Sequence, residues 1–140
     1  MPKSGGLAYR SLVVQGYAVR KSYPAFRVKV SGERLRCEGN VCPTSHSNKY
    51  RIRIDYHYGS SPRVRIVTPV IEPRPEIHMY RDGTLCLYDW REQPWLKSYR
   101  LHDTLMPWIA EWLLYYEAFL LTGKWLGPEA QHDGEKRLSA

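Results

Sequence analysis

His78 stands eight places before Cys86 in "PEIHMYRDGTLCLYDW", residues 75–90, with Arg81, Asp82 and Gly83 between them. A cysteine near a histidine can do nucleophilic acyl transfer, because the thiolate attacks a carbonyl and an imidazole can donate a hydrogen bond or move a proton close to neutrality. A free thiol with a reference pKa of about 8.5 is only a few per cent ionised near neutral pH, so a reactive cysteine needs partial exposure and cations that favour its charge. Arg81 and a positive overall field would supply the second. Leu85 and Leu87 flank the cysteine, however, and read as a short buried strand. On spacing alone the balance leans to a packed core thiol, since free cysteine is among the most often buried residues.

Two further sets of residues could carry chemistry. Cys37, Cys42 and His46 lie within ten residues and would give three zinc ligands, but their spacing fits no common finger and no fourth ligand is evident, so no metal is expected. Arg27, Lys29, Arg51, Arg53, Arg63 and Arg65 alternate with apolar residues and, with a lone Asp55, would share one face of a sheet. A solvated face is the bland interpretation; a docking surface for a protein or for nucleic acid is the functional one. His57, His102 and His132 take no role.

The elements that must position these residues follow from periodicity. Residues 7–22 predict a helix that the "YP" at 23–24 ends, with Gly16 as its weak point. "FRVKV" predicts a half-buried strand, "LRCEGNVC" a weaker one interrupted by Gly39-Asn40, and "KYRIRIDYHYG" the clearest alternation, with Tyr50, Ile52, Ile54, Tyr56 and Tyr58 facing the core. "RVRIVTP" adds a fourth strand, giving an antiparallel meander with one apolar and one basic face. Residues 69–98, with four prolines, predict a long loop that carries the cysteine motif. From Asp103, the spacing of Leu105, Ile109, Trp112, Leu113, Tyr116 and Leu120 predicts a helix that covers the sheet's inner face, with Pro107 early and Gly123 as its stop. Trp108, Trp112, Tyr115 and Tyr116 read as packing rather than a cofactor box. The segment 127–140 is expected to be a mobile tail.

With 140 residues, 43% of them hydrophobic, the chain is expected to be one domain, residues 1–140, that buries its own core. Three cysteines and no basic-then-apolar leader argue against a disulfide framework, and the longest apolar run, near 105–121, is broken by Pro107, Glu111 and Glu117. A soluble, cytoplasmic protein without membrane contact is expected. The formal charge of +7 favours acidic partners without choosing among them.

The proline-rich entry, polar loop, Asp-Gly turn and "LCL" resemble the active-site loop of ubiquitin-conjugating enzymes, in which a His-Pro-Asn motif precedes "xxDGxICL". The helix and meander order, Trp95 after the cysteine and the crossing helix extend the likeness over roughly residues 7–122. "CPTSHSNKYRIRIDY", "IHMYRDGTLCLYDW", "PWIAEWLLYYEAFLLTGKWLG" and His132 are most similar to the bacterial branch of that superfamily found with CBASS antiphage systems. The resemblance implies an α+β, ubiquitin-conjugating-like (UBC-like) fold. It makes Cys86 the acyl-carrying cysteine, with Asp82, Gly83 and Trp95 as loop support and no cofactor. His78 falls at the family's asparagine position, where it would act as an oxyanion donor or pin the loop; the family's acidic residue beyond the crossing helix has no evident counterpart, as Glu117 lies within the predicted helix. The resemblance further implies a cognate cGAS-like nucleotidyltransferase as acyl donor through its C-terminus, docked on the sheet's basic face. An activating enzyme is the other possible partner, since no Gly-rich nucleotide loop is present here. Two alternatives stand beside this expectation: a catalytically silent scaffold with Cys86 as a packed residue, and a basic nucleic-acid-binding module. The second is disfavoured because the tyrosines fall on the inward face, away from the cations.

Overall fold

A computed structural model describes residues 3–88 and 94–127, with side chains from residue 6. His132 and nearly all of the expected tail lie outside the described residues. The elements are helix α1 (Lys3–Ser22), strands β1 (Arg27–Ser31), β2 (Arg34–Val41), β3 (Tyr50–His57) and β4 (Arg63–Thr68), a 3-10 turn (Pro75–Ile77), a π turn (Leu101–Leu105) and helix α2 (Met106–Thr122). The strands form one antiparallel sheet in the order β1-β2-β3-β4, so the α+β meander is as expected.

Helix α1 buries Ala8, Leu12, Gln15 and Val19, a spacing of three and four that makes a single stripe. Arg20 and Lys21 in its last turn complement the negative end of the helix dipole. Gly16 is the point of closest approach to the sheet rather than a weakness: a Cβ there would lie 2.5 Å from Val28 Cγ1 and 3.3 Å from Leu35 Cδ1. Helix α1 therefore lies over the inner face at β1 and β2, and α2 shares the covering instead of providing it alone.

The alternation in β3 resolves as expected, with Tyr50, Ile52, Ile54 and Tyr56 buried and the arginines between them half exposed. In β2 the expected interruption is absent, and the strand runs through Gly39 in register with Ile52. The reason is steric. The ring of Phe26 occupies the space above Gly39, where a Cβ would come within 2.5 Å of Phe26 Cδ1 and 2.9 Å of its Cα. Since backbone cannot yield as a side-chain tip can, Gly39→Val is expected to destabilise the protein by about 1–3 kcal/mol or more, seen as a lower urea midpoint with an unchanged m-value.

Helix α2 starts from the π turn, in which the buried Leu101 and Leu105 anchor the chain and Gln15 of α1 accepts a hydrogen bond from the Leu101 amide at 2.9 Å. Pro107 sits in the first turn, where its missing N–H costs nothing, and Gly123 (φ 76°) ends the helix with its amide bonded to Phe119 O at 2.7 Å. The buried side of α2 is Met106, Ile109, Trp112 and Leu113; Leu120, expected on that stripe, is exposed, because the helix runs past the sheet at its C-terminal end. Glu117 accepts hydrogen bonds from Ser47 Oγ (2.7 Å) and Tyr50 Oη (2.8 Å), tying α2 to the β2–β3 connection. Burial, followed by that bond to Glu117, pushes the Tyr50 phenol pKa upward.

Candidate active site

Around the cysteine motif, residues 78–86 are held by backbone hydrogen bonds instead of by a regular element. A tight turn at residues 80–84 is closed by Tyr80 N to Thr84 O (2.9 Å) and Gly83 N to Tyr80 O (3.0 Å), with Gly83 at φ 90°, a value that favours glycine. The Asp82 carboxylate accepts the amide (2.9 Å) and hydroxyl (2.6 Å) of Thr84 and pairs with Arg63, while its carbonyl accepts from Arg65. Burial alone would raise the Asp82 pKa, but the Thr84 bonds and the two arginines outweigh it and hold the carboxyl below the usual range. Leu85 N donates to Val64 O at 2.9 Å, so the stretch before the cysteine is stitched to β4.

His78 and Cys86 meet across this turn. The amide of Cys86 donates to His78 O at 2.9 Å, and the indole N–H of Trp112 on α2 donates to the same carbonyl at 3.2 Å. His78 itself adopts the left-handed conformation, φ 62° and ψ 51°, uncommon for a residue with a Cβ and concentrated at functional sites. Its ring packs against Trp125 with centroids 4.3 Å apart and the planes tilted by 37°. His78, Cys86, Leu87, Trp108, Glu111, Trp112, Tyr115 and Trp125 together line a narrow cleft with about 40 Å³ of room for water.

Cys86 is only 4% exposed, less than the partial exposure expected of a reactive thiol, and its Sγ lies 3.8 Å from Tyr88 O. The thiol is covered by the walls of its own cleft, and Leu85 beside it belongs to the core. Cys37 differs in kind: it is wholly buried in the core, and burial pushes its pKa up to about 12. Cys42 is exposed, and among the described residues no three metal-ligating side chains gather at one point, so Cys37, Cys42 and His46 do not form a ligand set. Trp95 sits beside the site in an aromatic cluster with Tyr56, Tyr88, Tyr99 and Trp108, its Nε1 3.3 Å from Tyr56 Oη.

Glu111, Trp108, Tyr115 and Trp125 were not legible as site residues. Positions 108, 111, 112 and 115 share one side of α2, a spacing that signals a common face but not what it faces.

The outward sheet face is less bare of acid than its sequence suggests. Cross-strand rows run Arg27, Glu38, Arg53, Arg65 and Lys29, Arg36, Asp55, Arg63. Glu38 pairs with both Arg51 (2.6 Å) and Arg53 (3.1 Å), which hold its pKa below the usual value, and Asp55 pairs with Arg36 at 2.8 Å. Four of the six expected partner-binding cations are thus engaged with Glu38 or with Asp82. Arg34 and Arg36 join the same face, and Arg27, Lys29 and Arg34 have no ion pair among the described residues.

Comparison with known protein families finds a match to the family described as Type II CBASS E2 protein over residues 15–133, most of the chain. The chain belongs to this family. No curated protein matches it. Membership gives it an E2-like role in CBASS antiphage systems, and both His78 and Cys86 fall within the matched span. No helix among the described residues is long and apolar enough to cross a membrane.

Proposed function

We propose that this E2-like chain has a UBC-like fold and forms a thioester between Cys86 Sγ and the C-terminal carbonyl of a protein partner, a cognate cGAS-like nucleotidyltransferase, then passes that acyl group to an amine. One observation carries the reading: of the three cysteines, Cys86 shares a cleft with a buried histidine, a carboxylate and aromatic walls, inside the span that matches the E2 family.

In the first step the Cys86 thiolate attacks the partner's activated C-terminal carbonyl and expels the activating group, which an activating enzyme supplies. In the second an amine attacks the thioester carbonyl, Cys86 leaves as thiolate, and the amine gives up its proton. Each step passes through a tetrahedral oxyanion, which a positioned donor stabilises in a site poor in water. His78, which lines the same cleft, is the side chain to which that donation is assigned. Glu111 is exposed at the rim of the cleft and is placed to meet a cationic amine and take its proton, the part for which Glu117 is unavailable.

The burial of Cys86 supports the competing scaffold reading. The two are separated by incubating the protein with its nucleotidyltransferase and an activating enzyme: an adduct of the summed mass that collapses on adding a thiol reductant supports transfer, and its absence under these conditions supports the scaffold. Nucleic acid is a weaker partner, because among the described residues the strands put no exposed tyrosine or tryptophan on the outward face for bases to stack on.

The basic face is proposed to dock the nucleotidyltransferase. Because Arg51 and Arg53 are committed to Glu38, charge reversal at Lys29 and Arg34 is the cleaner test. The double variant Lys29→Glu, Arg34→Glu is expected to weaken partner binding at least tenfold at low salt, measured by calorimetry, and to keep the thermal midpoint. Unchanged affinity would move the docking site elsewhere.

A further inference from the structure

The five residues after α2 double back across the Cys86 cleft, and their placement is built in. Gly123 turns the chain, Thr122 Oγ1 accepts the Lys124 amide at 3.1 Å and donates to Ala118 O at 2.8 Å, and Gly127 closes the segment. A side chain at 127 would meet Trp125 Nε1 and the Tyr115 ring, each at 2.8 Å. Trp125 is thereby held at 9% exposure between His78, Trp112 and Tyr115, with centroids 4.3, 5.7 and 5.6 Å away. Its indole N–H is buried without a hydrogen-bond partner among the described residues. A tryptophan chosen only to fill space would ordinarily satisfy that donor, so the ring contacts set its position.

We propose that Trp125 is a positioning residue for the acyl transfer, whose ring face fixes the imidazole of His78 beside Cys86. The inference rests on the transfer reading above and deepens it. On one side of the His78 ring the support is the indole, and both rings line the cleft that Cys86 also lines. Removing that support shifts the imidazole relative to the position the oxyanion occupies, and a donor misplaced by about 1 Å can lose on the order of a hundredfold in rate.

The experiment is a double-mutant cycle on adduct formation and transfer under single-turnover conditions, using the full chain, its nucleotidyltransferase and an activating enzyme. Trp125→Ala is expected to slow the maximal rate at least tenfold without raising the partner concentration for half-maximal rate, and Trp125→Phe, which keeps a ring face, to stay within threefold of the parent. Since Trp125 acts through His78, Trp125→Ala added to His78→Ala should slow transfer by less than threefold further. Losses that multiply in the double variant, or equal losses with Phe and Ala, overturn the proposal. Should Trp125→Ala lose its cooperative thermal transition, Trp125→Leu takes its place and must show the same tenfold loss. An adduct that survives Cys86→Ala sinks both this inference and the transfer reading; one that needs Cys86 but is indifferent to Trp125 sinks this inference alone.

Discussion

Cys86→Ala is expected to abolish the thiol-sensitive adduct with the nucleotidyltransferase, to below detection by intact mass, while Cys37→Ala and Cys42→Ala retain it. The difference is physical. Cys37 is sealed in the core, where burial pushes its pKa up to about 12 and keeps it a neutral thiol near pH 7, and no carbonyl can reach it. Cys42 is exposed and will react with small alkylating agents, but it is not part of the Cys86 cleft. Only Cys86 combines a thiol with walls that exclude water and a neighbour able to meet an oxyanion. Cys37→Ala should instead lower stability by about 1 kcal/mol through the cavity it leaves, with the adduct intact. Cys86→Ser gives a further sign: any adduct it forms is an oxygen ester that thiol reductant does not release. An adduct that persists in Cys86→Ala would assign the linkage to another residue and return Cys86 to a packing role.

The sheet and helix α2 were legible because period-two and period-3.6 patterns report burial directly, and Tyr50, Ile52, Ile54 and Ile109 are buried where those patterns put them. The glycines misled for one reason: propensity treats Gly16 and Gly39 as weak points, whereas both mark where a neighbouring element comes too close for a Cβ. The site was half visible. The approach of His78 to Cys86 depends on backbone bonds across an Asp-Gly turn, and that turn has a sequence signature. Trp125 has none, because its position follows from a chain reversal after Gly123 that no local pattern specifies. The exposed face of the sheet was misjudged by counting only Asp55 as acid. Glu38 follows the buried Cys37 and points outward by simple alternation, and Asp82 arrives from the active-site loop, a long-range contact that sequence spacing does not contain.

Asp82 also connects that face to the Cys86 loop. Its Oδ2 pairs with Arg63 and its main-chain carbonyl accepts from Arg65, while its Oδ1 accepts from the amide and hydroxyl of Thr84 and so holds the turn before Cys86.

The His78 series separates a chemical role from a conformational one, which the left-handed backbone otherwise confuses. His78→Ala is expected to slow acyl transfer at least tenfold, about 1.4 kcal/mol of transition-state stabilisation. Alanine at φ 62° also carries strain of about 1–2 kcal/mol, so its loss alone would not say whether imidazole or loop shape was at fault. His78→Gly relieves the strain while still removing the ring, and the His78 carbonyl keeps its bonds from Cys86 N and Trp112 Nε1 in either variant. If the imidazole donates to the oxyanion, glycine is as slow as alanine. If His78 only shapes the loop, glycine recovers the parental rate. Asparagine tolerates the left-handed region and offers an amide N–H, so His78→Asn is expected to regain a substantial part of the rate lost by glycine. That order, histidine fastest, asparagine next, glycine and alanine equal and slow, is the one a hydrogen-bond donor at this position requires, and single-turnover rates at fixed pH measure it directly.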